Sequence, residues 1–192
     1  VHYVSLLGQM SYQKQKYDFI EASGENVAAD GLYYVGSFNT NETGYGSFSD
    51  WKELGYLALL NYSYDDKYIL DLSYRYDGSS RFAADYRFGG FWSAGLAWNI
   101  DEEDFLADSD IVNTLKLRVS LGEIGNNSVG LNAYQSLFGY GGSYDDNGAV
   151  SPSSFGNAIL TWEKASLYDI GLDFSILDNR ISGSIVAFNK ET

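Results

Sequence analysis

The side chains able to do chemistry in this chain are few, and their spacing assembles no reaction centre. His2 is the single histidine. It falls in an alternating stretch, where a structural or solvent-facing role explains it better than proton transfer. Gly78-Ser79-Ser80 lacks the Gly-x-Ser-x-Gly spacing of a nucleophile elbow and has no histidine near it, so it reads as a turn at a loop base, starting from Asp77. Asp101-Glu102-Glu103-Asp104 offers paired carboxylates, but a solvated turn accounts for them better than acid–base chemistry. Tyr144-Asp145-Asp146-Asn147-Gly148 crowds oxygen ligands without the spacing of a calcium-binding EF-hand loop and predicts a plain turn. Gly139-Tyr140-Gly141-Gly142 and Gly8-Gln9 show no phosphate-loop spacing. The absence of cysteine excludes a disulfide scaffold, a thiolate zinc site and a cysteine nucleophile. No catalytic residue, metal site or cofactor is expected.

Binding is a stronger prospect than catalysis. Tyr33, Tyr34, Phe38, Tyr45, Phe48, Phe138, Tyr140 and Tyr144 fall in long stretches rich in Gly, Asn and Ser. An aromatic ring among small polar residues presents a flat apolar face to a sugar ring or a peptide. The competing use of such rings is to pack the loops onto one another or onto a partner. Tyr33, Tyr45, Tyr140 and Tyr144 are the candidate ligand-binding residues.

The elements that would position them follow from composition and pattern. In 192 residues, 12 Lys+Arg stand against 26 Asp+Glu, a net charge of −14. That balance argues against a nucleic-acid partner, which needs clustered cations. A hydrophobic share of 45% with 17% aromatics excludes disorder. No apolar run is long enough for a transmembrane helix. The chain opens Val1-His2-Tyr3-Val4, without an initiator Met or signal core, and stops within a patterned segment at Asn189-Lys190-Glu191-Thr192. The expectation is a piece of a longer polypeptide.

Period-two alternation recurs throughout, while helical spacing is almost absent. Tyr68, Leu70, Leu72, Tyr74 and Tyr76 point one way; Ile69, Asp71, Ser73, Arg75 and Asp77 point the other. Similar patterns run through residues 4–13, 56–64, 92–100, 115–122 and 168–176, and residues 181–190 are strand-like with both faces mixed. About seven strands are predicted, most longer than the usual five or six residues. Short turns fall at Asp65-Asp66-Lys67 and Asp178-Asn179-Arg180, with a medium acidic link over residues 101–114. Long connections are predicted over residues 18–50, 78–87 and 125–157. In a meander, this order puts the short links at one end and the long ones at the other. A soluble β-sandwich has no reason to sort its loops so; an outer-membrane barrel does, with short periplasmic turns and long extracellular loops. The tyrosines and tryptophans near the strand ends suit its two interfaces.

Several segments then resemble the SusC/RagA family of TonB-linked outer-membrane transporters. They are Tyr62-Ser63-Tyr64-Asp65-Asp66-Lys67-Tyr68, Tyr74-Arg75-Tyr76-Asp77-Gly78-Ser79-Ser80-Arg81-Phe82, Phe91-Trp92-Ser93-Ala94-Gly95-Leu96-Ala97-Trp98-Asn99-Ile100 with Glu103 and Phe105, and Leu115-Lys116-Leu117-Arg118-Val119-Ser120-Leu121-Gly122-Glu123-Ile124-Gly125-Asn126. Leu160-Thr161-Trp162-Glu163-Lys164, Asn179-Arg180-Ile181-Ser182-Gly183 and Phe188-Asn189-Lys190-Glu191-Thr192 complete the order. Glu123-Ile124 stands where Gln-Thr is commoner, and Phe91-Trp92-Ser93 lacks the usual Pro. The resemblance implies an all-β, antiparallel, up-and-down transmembrane β-barrel segment, about seven strands of a 22-stranded barrel, and an open curved sheet when isolated. Residues 1–192 would all belong to the barrel domain, without the plug or the TonB-contacting segment. It implies import of oligosaccharides or peptides, no enzymatic activity, and a SusD-like surface lipoprotein and the TonB complex as partners, in contact with outer-membrane lipid. The alternatives from composition are a soluble or secreted β-sandwich that binds carbohydrate, and a glycoside hydrolase on a β scaffold, which would need a placed carboxylate pair.

Overall fold

The computed structural model describes the chain except residues 28, 32, 33, 35, 36, 108 and 146, and describes residues 38, 39, 41, 42, 140, 141 and 144 by their backbone alone. Nine strands are described: β1 His2–Val27, β2 Phe38–Tyr64, β3 Tyr68–Ser79, β4 Phe88–Asn99, β5 Val112–Asn126, β6 Leu137–Tyr144, β7 Asn147–Ser154, β8 Glu163–Ile176 and β9 Ile181–Glu191. Seven form one sheet in the order β1-β2-β3-β4-β5-β8-β9, and β6 and β7 form a separate two-stranded sheet. The ladders that join β2, β3, β4, β5, β8 and β9 are all antiparallel. The expected meander is present, with β6 and β7 inserted in the connection from β5 to β8. Backbone contacts divide the chain into two compact units, Val1–Tyr12 with Glu53–Thr192, and Gln13–Lys52.

The first unit carries the two-faced pattern. Register places Tyr62, Leu70, Leu96, Val119, Ile170 and Ala187 in one row across the strands. The next row reads Leu60, Leu72, Ala94, Leu121, Tyr168 and Asn189. Between them, with side chains on the other face, runs Asn61, Asp71, Gly95, Ser120, Asp169 and Phe188. Leu96 is 61% exposed and Ile185 66%, so the apolar face is covered by nothing within the sheet.

The turns follow local chemistry. Asp65 and Asp66 adopt φ of 49° and 55°, a left-handed conformation that aspartate tolerates, and Lys67 N–H donates to the Tyr64 carbonyl at 3.0 Å. The turn from β8 to β9 holds Leu177, Asp178 and Asn179 at φ of 57°, 54° and 61°. It is tied down by Leu177 N–H to the Ile111 carbonyl at 2.8 Å and by Asn179 N–H to the Asn113 side-chain oxygen at 3.1 Å.

Two long connections differ from expectation. Residues 18–50 are mostly strand, because β1 continues to Val27 and β2 begins at Phe38. Polar side chains pair across this second unit, Ser23 with Thr43 at 2.7 Å and Asn26 with Thr40 at 2.8 Å. A ladder with polar side chains on both faces, as at these pairs, weakens the alternation by which sequence reveals a strand. The stretch from 125 to 157 contains the β6–β7 hairpin, closed below its base by Asn157 N–H to the Ala133 carbonyl at 3.1 Å.

Among the described residues the buried apolar ones are Phe82, Phe91 and Ala165, and Ser79 is among the buried polar ones. This small core lies at the loop end of the sheet, with Phe91 on β4, Ala165 on β8 and Phe82 in the link from β3 to β4. The Phe82 and Trp162 rings are 5.5 Å apart, Phe91 and Trp162 5.3 Å, and the Trp162 indole donates to the Arg87 carbonyl at 2.8 Å. Gly125 leaves room for the Phe91 ring, whose atoms would lie 2.1–2.7 Å from any added Cβ. Replacing Gly125 by Ala should therefore destabilise the folded wall by about 1–3 kcal/mol, as overpacking does. Thermal unfolding of the intact protein in detergent, with unchanged stability as the contrary result, checks this.

Candidate functional site

The face opposite the apolar rows is a polar ladder. Arg118 pairs with Asp173 at 3.1 Å and reaches Asp169 at 3.6 Å. Ser184 donates to Asp173 at 2.5 Å, and Ser120 donates to Asp169. Asn61 donates to Asp71 at 2.5 Å, and Ser73 and Ser93 share a hydrogen bond at 2.6 Å. Gly171, facing Arg118 across β5 and β8, leaves the space the guanidinium occupies, since an added Cβ would sit 2.7 Å from its Cζ. Charged side chains recur on this face, while the two apolar rows described above carry none from β2 to β8. Phe188 departs from the pattern, an apolar ring 80% exposed on the polar side.

The turn-end rim is clamped by Glu103. Its carboxylate accepts from the Tyr68 hydroxyl at 2.6 Å, the Trp98 indole at 3.0 Å and Lys67 at 3.3 Å. Asp104 takes a second Lys67 bond at 3.2 Å, and the Asn99 amide donates to the Asp66 carbonyl at 2.6 Å. The acidic run is thus more than a solvated turn: it fastens the β4–β5 link to the β2–β3 turn. Tyr64 and Tyr68 stack at 6.4 Å and 16°, Tyr68 and Trp98 at 6.4 Å and 14°, with His2 4.7 Å from Tyr64. His2 shares a 2.9 Å hydrogen bond with the Tyr62 hydroxyl, which makes it part of this aromatic band. The bonds from Tyr68, Trp98 and Lys67 hold the Glu103 carboxyl below its ordinary pKa, while Asp104 and then Glu103 raise that of Lys67.

The candidate ligand-binding residues are distributed. Tyr45, 63% exposed, lies in the second unit with its ring 6.1 Å from Phe19. Phe19 in turn stacks on Tyr17 at 6.4 Å and 7°. Sequence reasoning missed Tyr17 and Phe19, because Phe19 falls in the connection expected over residues 18–50 and Tyr17 just before it, beyond the alternation of residues 4–13; their i, i+2 spacing was the available signal. Tyr140 and Tyr144 sit on β6 opposite Val150 and Asn147. Their side chains, and all of Tyr33, lie outside the described residues. Gly78 and Ser79 end β3, paired with Phe88 and Glu53, so the expected loop-base turn begins only at Ser80; Ser79 is buried and its hydroxyl accepts the Arg81 N–H at 3.4 Å.

A sheet with one apolar face, one charged face, aromatic bands and loops sorted by end is a segment of an outer-membrane β-barrel wall. The chain belongs to the TonB dependent receptor-like, β-barrel family, whose model matches residues 3–192. TonB-dependent receptor P3 of Formosa agariphila is 32% identical over 100% of this chain, which covers 20% of that protein. TonB-dependent receptor SusC of Bacteroides thetaiotaomicron is 37% identical over 72% of the chain and 15% of SusC. Among solved structures, the RagAB peptide transporter superposes with a TM-score of 0.91 at 28% identity, covering 98% of this chain and 21% of that one. The chain thus spans about a fifth of the relatives it matches over its whole length. The SusC/RagA resemblance, the all-β barrel fold and the outer-membrane location are borne out, and the soluble β-sandwich is not favoured.

Two predictions follow from this geometry. Leu96→Arg, on the membrane face, should cost about 2–4 kcal/mol where it meets the bilayer centre. Leu96→Phe should be nearly neutral; equal stabilities in urea titrations of the intact protein in vesicles would contradict the assignment of faces. A depressed Glu103 pKa contributes stability that is present above the unfolded glutamate value and lost as pH falls through the folded one. Raised Lys67 contributes stability that is lost only as pH climbs through its elevated pKa. Wild-type thermal stability should therefore decline on acidification from about pH 5 to about pH 3, and the decline should be shallower in Glu103→Gln.

Proposed function

We propose that the intact protein is a TonB-dependent outer-membrane transporter that imports oligosaccharides or peptides together with a SusD-like surface lipoprotein. This chain, residues 1–192, contributes part of the barrel wall and no catalytic activity. The plug and the TonB-contacting segment belong to other parts of the intact polypeptide. The observation that carries this reading is the close superposition on RagAB, described as a peptide transporter, at a TM-score of 0.91. Similarity to SusC supports it independently. The physical argument agrees: a charged inner face suits a hydrated, plugged lumen, and an apolar outer face suits lipid.

Ligand contact belongs to the aromatic loops on this reading. Tyr45 and Tyr17, both exposed, flank the half-buried ring of Phe19. Tyr33, Tyr140 and Tyr144 are proposed to add further ring faces. A planar ring at a binding hot spot is worth about 1 kcal/mol or more when truncated. Tyr45→Ala or Tyr140→Ala should lower uptake of the transported ligand roughly fivefold, the equivalent of about 1 kcal/mol. Unchanged uptake at normal surface expression would remove these residues from the ligand path. The transporter reading itself is tested on the intact protein, by membrane separation and by comparing unheated with boiled samples on a denaturing gel. An outer-membrane band that shifts on heating, with TonB-dependent uptake, is expected; a soluble parent without a heat shift would overturn it.

A further inference from the structure

The polar face of the wall is open along most of its length and covered at the loop end. Ser79, Gly89, Phe91 and Ala165 are buried there. By register each belongs to the alternation of Asp71, Gly95 and Asp169, so each faces the lumen side of the sheet. What covers them is loop. Phe82, from the link between β3 and β4, packs on Trp162, just before β8, and a Cβ added to Gly89 would meet the Trp162 ring at 3.0 Å. These connections fold inward over the wall.

A third connection completes the layer. Asn126 ends β5, and its side chain donates to Glu163 of β8 at 3.0 Å. The next residue reaches the opposite way. Asn127 donates to Glu53 of β2 at 2.5 Å, and the Val129 carbonyl accepts from Arg81, beyond β3, at 3.0 Å. Glu53 lies on the polar alternation, opposite Ser79. In the sheet β3 and β4 stand between β2 and β5, a separation of about 14 Å along the ladder at the usual strand spacing. Residues 126–129, with the side chains of Glu53 and Arg81, therefore form a strap across the inner side of β4 and β3. The turn within it is tight: Ser128 N–H donates to the Asn126 side-chain oxygen at 2.9 Å, and Val129 N–H to the Asn127 carbonyl at 2.7 Å. The stretch that follows is also held. Asn157 N–H donates to the Ala133 carbonyl, and a Cβ on Gly156 would sit 2.3 Å from the Gln135 carbonyl carbon.

We propose that this strap is a fixed constriction at the loop-end mouth of the lumen, which limits the size of ligand that the transporter admits. The inference rests on the transporter reading above and adds to it a part of the entry path distinct from the aromatic loops. A segment tied to β8, to β2 and to the β3–β4 link by bonds from or to charged groups holds its place as a ligand passes. Ser128, exposed on the turn, is the residue that meets the ligand.

The test supplies cells carrying the intact transporter with a proteolytic digest and a partial hydrolysate of mixed polysaccharides, and sizes what is taken up by mass spectrometry. Glu53→Ala and Asn127→Ala each release the strap from β2. Loss of a charge-assisted bond shifts the tied state toward release about tenfold, so the longest ligand admitted should grow. Ser128→Trp keeps every tie and adds bulk, so the longest ligand should shrink. Opposite shifts from neighbouring residues are not what a general loss of stability produces. The heat shift on a gel and surface labelling confirm that each variant is folded and equally expressed; if Glu53→Ala fails to fold, Asn127→Ala carries the same expectation. An unchanged size distribution in the variants, a shift in one direction for all of them, or a wild type without an upper size limit would overturn the constriction and leave the transporter reading standing. Uptake of neither mixture by wild type would overturn that reading, and the constriction with it.

Discussion

A bilayer offers no hydrogen-bonding partner, so each backbone N–H and C=O of the sheet must find one in a neighbouring strand. The register through β2, β3, β4, β5, β8 and β9 meets that requirement over most of its length; the β4–β5 ladder stops at Ser93 and Gly122 toward the loop end, and the β5–β8 ladder is irregular between Val112 and Thr114 at the turn end. Alternation then does the sorting. Once the ladder is set, a side chain has two directions available, and a slip of one residue would carry Asp71, Arg118, Asp169 and Asp173 into lipid. The electrostatic ladder on the inner face and the apolar rows outside are two results of the same register.

Little of the usual core exists. The wall is one sheet thick, and its stability comes from backbone pairing, bilayer contact and two rims. At the turn end, Glu103 gathers Tyr68, Trp98 and Lys67 around one carboxylate. At the loop end, Phe82, Phe91 and Trp162 form an aromatic knot held by the Trp162 bond to Arg87. Each rim ties together elements that belong to different hairpins, a cross-link that strand pairing alone does not provide.

The wall was legible in the sequence because its environment imposes a strict period. Residues 56–64, 68–77, 92–99 and 168–176 alternate cleanly, and all are strands. Where the environment relaxes, so does the signal. The second unit pairs Ser23 with Thr43 and Asn26 with Thr40, so polar residues fall on both faces and its strands read as loop. Glu103 was equally hard to read, since a run of acids resembles any solvated turn, and only the fold brings Tyr68 and Lys67 to it. The aromatic residues proposed for ligand contact were visible as a composition bias. The Tyr17–Phe19 stack was not, because its meaning depends on a strand hidden by that polar ladder.

The hairpin of β6 and β7 is closed on itself below its base, where Asn157 bonds to Ala133, and it takes no part in the seven-stranded ladder. An insertion, deletion or wholesale exchange between those two residues leaves each wall strand's register untouched. Such a segment is a natural unit of recombination: related genes can trade it as one block and present a new outer surface on an old frame. Selection on exposed surfaces can therefore act quickly there, while drift in β5 and β8 is held back by the bilayer.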